Sequence, residues 1–362
     1  MRRQQTVLGI ETSCDETAAA VVHVDAAGAV EVASSIVLSQ VGEHAPFGGV
    51  VPEIAARAHV EAIDWVIKAA MQTAGVGFDA LSGVAATAGP GLVGGVMVGL
   101  AAGKAISLAR SIPLVAVNHL EGHAVSARLT AEVPYPFLLL LISGGHCQLL
   151  DVGGIGRCER LGSTIDDAAG EAFDKIAKAL GLPFPGGPAL ERLAEGGDAS
   201  RFPLPLALVG RQGCDFSFSG LKTAAARIAE RVGGDGERRD LAAAVEVAIA
   251  HQLADRSERA MDVYAQRHAG DRRFVVAGGV AANRRVRAVL QAAAERHGFS
   301  FAAPPLEYCG DNAAMIALAG AERLALGLVD GLDAVARPRW PLDAAAARDR
   351  PTHVPGRKGA KA

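Results

Sequence analysis

Short β-rich apolar runs occupy 6–10, 18–24 and 30–38, with the turn-forming segments ETSCDET and DAAG between them. That spacing predicts three short strands in an antiparallel meander. Pro52 then opens a helix with Ile54, Ala58, Ala62, Trp65 and Ala69 along one stripe, and an apolar strand follows near 81–86. A helix over 96–109, a strand over 113–117 and a helix from about 118 complete the order β-β-β-α-β-α-β-α. The same order then recurs. Strands at 137–143 and 147–152 flank the turn GGH, 159–162 supplies a short third strand, and a helix spans about 166–180. An insertion over 183–270 holds a helix near 240–268; after it come a strand at 273–277, a helix at 282–297, a strand at 299–302 and a helix at 312–326.

Two copies of one mixed α/β unit with a cleft between them are therefore expected. The first lobe covers 1–133 and is completed by the C-terminal segment 312–345, and the second covers 134–311. The tail over 348–362, RDRPTHVPGRKGAKA, is basic and broken by Pro and Gly, and reads as disordered. The long uncharged stretch over 80–103 contains seven glycines and Pro90, which suits a buried strand, a Gly-rich loop and a helix better than a membrane span. The apolar run before Glu11 is too short for a secretory signal.

A chain of 362 residues, half of them hydrophobic and 43 of them Gly, excludes disordered and fibrous classes and has the size of an enzyme. Its net charge of −3 supplies no global field for nucleic acid or membrane. The five cysteines (Cys14, Cys147, Cys158, Cys214 and Cys309) are scattered and never form C-x-x-C, which fits a reducing cytoplasm and argues against a thiolate metal site.

Four segments place glycine or small polar residues just after an apolar strand: ETSCDET, AGPGLVGG, ISGGH and AGGVAAN. Without a Cβ, such turns let backbone N–H groups approach a phosphate. None matches G-x-G-x-x-G or the P-loop, so a nucleotide held between two lobes is what remains. In NHLEGH, His119 and His123 stand at i and i+4, on one face of a helix and suited to sharing a metal. The zincin motif needs Glu directly after the first His, and Leu120 is there instead. Asp311, in CGDNAAM, is either a third ligand or the N-cap of the helix behind it.

The segments VLGIETSCDET, AGPGLVGGVMVG, NHLEGH, LISGGH, GEAFDKIAKALGL, PGGP, FSFSGLKTA, VAGGVAANRRVR and CGDNAAMIA together resemble the bacterial tRNA N6-adenosine threonylcarbamoyltransferase family, over nearly the whole chain. The resemblance implies the sugar-kinase/heat-shock-protein-70/actin (ASKHA) fold, which is the duplicated unit above. It implies transfer of threonylcarbamoyl from L-threonylcarbamoyladenylate to N6 of the adenosine 3′ of the anticodon, in tRNAs reading codons that begin with A. The metal ligands carried over are His119, His123 and Asp311, holding one divalent ion, with Fe2+ ranked ahead of Zn2+. The adenylate-binding positions carried over are Ile142, Ser143, Gly144, Gly145, His146, Asp174, Gly187 and Asn283. Asp15 and Glu16 match the acidic pair of the first turn and are the candidate general bases, while Glu191 stands where the family often has Asp.

For tRNA, the local cationic candidates are Arg284, Arg285 and Arg287 beside the AAN turn, and Arg348, Arg350, Arg357, Lys358 and Lys361 in the tail. The family also implies partners, a TsaB-like silent paralogue and a TsaE-like small ATPase. Three rival readings are a sugar kinase, a metalloprotease and a non-catalytic partner of the same fold. The first has no use for the histidine pair, the second lacks its glutamate, and the third is expected to lack the metal ligands.

Overall fold

A computed structural model describes residues 4–349. In chain order the elements are β1 (Gln5–Glu11), β2 (Glu16–Val24), β3 (Val30–Ser39), α1 (Val41–His44), α2 (Pro52–Thr73), β4 (Gly83–Gly89), α3 (Val93–Arg110), β5 (Leu114–Asn118) and α4 (His119–Val125). They continue with β6 (Phe137–Ile142), β7 (Cys147–Gly154), β8 (Arg157–Ser163), α5 (Ala169–Ala179), α6 (Gly186–Ala194), α7 (Ser219–Ala229), α8 (Asp235–Arg267), β9 (Arg273–Ala277), α9 (Arg284–Arg296), β10 (Ser300–Ala302), α10 (Ala313–Ala325) and α11 (Ala344–Asp349).

These elements form two compact units. One comprises Met1–Glu132 and Pro304–Leu342, the other Val133–Ala303 and the segment from Asp343. Each holds a five-stranded sheet, ordered β3-β2-β1-β4-β5 in the first and β10-β9-β6-β7-β8 in the second. In both, the meander pairs antiparallel and the later strands join parallel. The second order is the first repeated strand for strand, so the duplication seen in the hydrophobic pattern is real.

In the first unit the period of two along the strands separates two helical layers. Leu8, Ile10, Ala19, Val21, Val84 and Ala86 face the core shared with α2 and α3. The intervening Gly9 faces α10, where a Cβ would lie 2.2 Å from the Ala313 carbonyl oxygen and 2.6 Å from the Ala317 nitrogen. Only glycine lets α10 lie directly on the sheet, and this contact brings its N-terminal end to the ends of β1 and β5. Among the described residues one helix, α3, is long and apolar enough to cross a membrane. It packs on β4 and α2, in the strand–loop–helix order expected of 80–103.

Several details depart from the pattern. In α2 the buried positions are Ala55, His59, Ala62, Val66, Ile67, Ala70 and Met71, while Trp65 is 46% exposed. The expected stripe is thus rotated, because the face against the sheet recruits His59, whose ring accepts from Thr17 Oγ1 at 2.8 Å and donates to the Cys14 carbonyl at 3.1 Å. The helix expected from 166 starts at Ala169. Asp166 is drawn out of it to cap α7, accepting from Ser217 Oγ at 2.5 Å, Phe218 N at 2.8 Å and Ser219 Oγ at 2.7 Å, which accounts for FSFSG. Of the tail expected to be disordered from Arg348, Arg348 and Asp349 lie within α11, which Arg160 holds to β8 by donating to the Ala346 carbonyl at 2.9 Å. Arg350, Arg357, Lys358 and Lys361 lie outside the described residues.

Candidate functional site

The first unit builds the candidate metal centre from three elements. Asn118 ends β5 and caps α4, its Oδ1 accepting from Leu120 N at 2.9 Å, so the two histidines start from a fixed strand end. Gly122 lets α4 meet α10: a Cβ there would lie 2.7 Å from Ile316 Cδ1. As a result His119 Nε2 and His123 Nε2 stand 3.5 and 3.1 Å from Asp311 Oδ1. One ligand atom from each residue lies within 4.8 Å of the others. The alternative assignment of Asp311 as the N-cap of α10 is overturned, because Asn312 accepts from Met315 N at 3.0 Å and is the cap.

Glu11 was not among the residues singled out in the sequence. It is fully buried at the end of β1, and its Oε2 accepts from His119 Nδ1 at 2.8 Å and from Thr87 Oγ1 at 2.6 Å, while Oε1 accepts from Ser13 N at 2.6 Å. The signal was a carboxylate ending the apolar run of the first strand. A carboxylate on the far nitrogen of a ligating histidine fixes its tautomer and ring orientation. Burial alone would lower the His119 pKa, but the Glu11 and Asp311 carboxylates beside it hold it well above the ordinary histidine value. Against the penalty of their own burial, Glu11 lies below and Asp311 well below the usual carboxylate range because His119 faces both. Two imidazole nitrogens and one carboxylate oxygen are the donor set of divalent iron and zinc sites with open positions. His123 Nδ1 is buried without a hydrogen-bond partner among the described residues.

The acidic pair lies in the same neighbourhood. Asp15 is buried, and its carbonyl accepts from Gln40 N at 2.9 Å. Burial, then Asp311 and Asp15, push the Glu16 carboxyl well above its usual value. Burial and the same two aspartates push the Cys14 thiol well up, so it stays protonated at neutral pH and is no nucleophile.

Glycine geometry sorts the Gly-rich turns. In AGPGLVGG, a Cβ on Gly89 would lie 1.9 Å from the Arg337 carbonyl oxygen and one on Gly91 2.6 Å from Ser13, so packing alone accounts for both. In the second unit, by contrast, nothing among the described residues lies within 4 Å of a Cβ on Gly144, Gly145 or Gly187. The ISGGH turn is closed by Ser143 N donating to the His146 carbonyl at 2.8 Å and His146 N donating to Ser143 Oγ at 3.2 Å. The start of α5 abuts it, since a Cβ on Gly170 would lie 2.6 Å from the Ser143 carbonyl oxygen. Among the described residues no side chain caps that helix. Its first-turn amides and the positive end of its dipole are the kind of group that can receive an anion. The AGGVAAN turn meets the same strand end, with a Cβ on Gly278 only 2.4 Å from the Ile142 carbonyl oxygen.

Asp174 Oδ1 accepts from Gly186 N at 2.9 Å and so ties α5 to PGGP and Gly187. Asn283 caps α9, accepting from Val286 N at 2.9 Å, and its Nδ2 donates to the buried Glu246 at 2.7 Å. Glu246 is a second neighbour of the site that sequence reasoning missed. The basic cluster beside Asn283 is not a free cationic patch. Arg284 donates through N and Nε to Glu191, each at 3.0 Å, and also pairs with Glu195; Arg285 pairs with Glu246 at 3.4 Å and Arg287 donates to the Ala281 carbonyl at 3.0 Å. Glu191, Glu195 and Glu246 line one cavity of about 560 Å³ with Arg284 and Arg285, and neutralise them.

Solved structures share the fold at low identity. HypF from T. kodakarensis superposes with a TM-score of 0.57 at 15% identity, over 89% of this chain and 48% of that one. Component A of the Acidaminococcus fermentans (R)-2-hydroxyglutaryl-CoA dehydratase does so with a TM-score of 0.50 at 17% identity, over 89% of this chain and 99% of that one. The duplicated units are thus of the ASKHA type. Sequence similarity is far stronger. A Caulobacter vibrioides protein named tRNA N6-adenosine threonylcarbamoyltransferase is 71% identical over 357 residues, 98% of this chain and 97% of its own. One of the same name from Maricaulis maris is 56% identical over 365 residues, 99% of this chain and 97% of its own. With the profile of the TsaD family matching residues 31–318 as well, the chain belongs to the tRNA N6-adenosine threonylcarbamoyltransferases.

Proposed function

We propose that this enzyme moves the threonylcarbamoyl group of L-threonylcarbamoyladenylate onto N6 of the adenosine 3′ of the anticodon, in tRNAs reading codons that begin with A. The observation that carries this reading is the convergence of His119, His123 and Asp311, with Glu11 behind His119. A kinase, or a silent partner of the same fold, has no use for that set. In the reaction the N6 amine attacks the carbamoyl carbonyl, the bond from that carbon to the phosphate oxygen breaks, AMP leaves and N6 loses a proton.

In the first unit, His119, His123 and Asp311 would hold a divalent ion, iron ahead of zinc. When bound, the ion supplies a Lewis acid for the threonylcarbamoyl oxygens. Glu11 keeps Nε2 of His119 free for that task by engaging Nδ1. Asp15 or Glu16, the acidic pair of the first turn, accepts the N6 proton. In the second unit, the amides of Gly144 and Gly145 and the first turn of α5 take the phosphate. Asp174, Gly187 and Asn283 serve the nucleoside. Asn283 keeps one amide N–H for this, since Glu246 and Val286 N already engage the rest of its amide.

With Arg284 and Arg285 neutralised, tRNA phosphates are met by the basic tail or by partner proteins, a TsaB-like paralogue and a TsaE-like ATPase, in the cytoplasm. Mass spectrometry of tRNA nucleosides after depletion of the protein tests the activity. Threonylcarbamoyladenosine should vanish while threonylcarbamoyladenylate is still made; unchanged modification overturns the reading.

A further inference from the structure

The glutamate inside the histidine motif cannot serve the metal. At 3.6 residues per turn, Glu121 lies about 200° around α4 from both His119 and His123, so its carboxylate leaves from the opposite side. It is nonetheless only 3% exposed. Its Oε2 accepts from Arg323 Nη1 at 3.0 Å, and Arg323 belongs to α10, the helix that follows Asp311.

We propose that the Glu121–Arg323 pair is a positioning device for the metal centre: it sets α4, which carries both histidines, against α10, which fixes the place of the carboxylate ligand. The inference rests on the metal reading above. An isolated helix of seven residues has no stability of its own, so α4 takes its place from tertiary contacts. Packing at Gly122 sets how closely the helices approach, but an apolar contact tolerates sliding. An ion pair with its carboxylate buried and its guanidinium partly buried does not, because its energy depends on the geometry of two specific groups. Ligand bonds near 2 Å leave little tolerance for a shift of one helix along the other. The nearby Arg128–Glu322 pair, at 2.8 Å, joins α10 to the turn after α4 rather than to the helix that carries the histidines, and provides a comparison.

The test uses the full chain, with Zn2+ affinity measured by chelator competition, the absorption spectrum of bound Co2+, and the melting temperature. Glu121→Gln leaves the Arg323 cation unpaired, whereas Glu121→Gln with Arg323→Met removes both charges. In the double variant we expect melting to return toward wild type while Zn2+ binds about 10–100-fold more weakly and the Co2+ bands shift. The pair Arg128→Met with Glu322→Gln should leave affinity and bands unchanged. Zn2+ affinity that recovers together with melting overturns the proposal. Glu121→Asp, which keeps the charge and shortens the reach, decides the matter should the glutamine variants not fold: unchanged affinity and bands overturn it. If wild type binds no more metal than His119→Ala does, the metal reading falls and this inference with it; if only the double variant behaves as wild type, this inference falls alone.

Discussion

Asp311 and Asn312, adjacent in the chain, divide two tasks at the start of α10. Asn312 Oδ1 accepts from Met315 N at 3.0 Å and caps the helix, while Asp311 Oδ1 stands 3.1 Å from His123 Nε2. Asn312→Ala loses the cap together with the amide's bonds to the Tyr308 and Gly310 carbonyls and should lower stability by about 1–3 kcal/mol while leaving the metal ligands in place. Asp311→Asn should lose metal and transfer activity without losing a cap. Elemental analysis and melting curves on both variants check this; equal metal loss in the two would mean that the cap, not Asp311, makes the site.

Glu11→Gln preserves shape and one hydrogen bond to His119 but removes the charge that holds its ring. Metal affinity should fall about 10–100-fold, with activity following metal content. Because His119 holds the Glu11 carboxyl below its usual range, the metal-free protein should also lose stability near neutral pH. Chelator competition on purified protein, beside its melting curve, is the measurement, and wild-type affinity in this variant would remove Glu11 from the site.

Proton competition gives the pH dependence. The folded pKa of His119 is raised by Glu11 and Asp311, so in the metal-free protein this contribution to stability is complete below the unfolded histidine value, about 6.5, and is lost as pH rises through the folded one. A metal must displace that proton. Binding near neutral pH should release about one proton per ion, and affinity should rise about tenfold per pH unit until His119 is already neutral. Calorimetry in two buffers of different ionisation enthalpy counts the protons; none released at neutral pH would contradict the raised His119.

Gly144 and Gly170 offer a paired test of the phosphate turn. A side chain at Gly144 enters open space, so Gly144→Val should fold normally and bind AMP more weakly. At Gly170 even a methyl group would lie 2.6 Å from the Ser143 carbonyl oxygen, so Gly170→Ala should displace the turn, costing about 1–3 kcal/mol as well as AMP affinity. Unchanged AMP binding by Gly144→Val, measured calorimetrically, would make the turn structural.

The sequence by itself determined the repeated order of strands and helices, because periods of two and 3.6 are local properties of the chain and recur in both halves. It also exposed His119 and His123, since one helical turn is enough to bring them together. What brings Asp311 to them, across 188 residues, is the seating of α10 on the sheet at Gly9 and on α4 at Gly122. Glu11 remained hidden for the same reason: a carboxylate at a strand end acquires its meaning only from the helix that packs above it. Periodicity also misjudged the buried face of α2, because a stripe of apolar residues does not reveal that a buried polar chain from Thr17 will recruit His59. Tertiary structure alone decided which glycines serve packing and which leave room for a ligand, because that depends on what lies within a few ångströms of an absent Cβ and not on neighbours along the chain. By the same token Arg284 and Arg285 form a basic cluster in one dimension and a neutral one in three, since Glu191, Glu195 and Glu246 reach them from other helices.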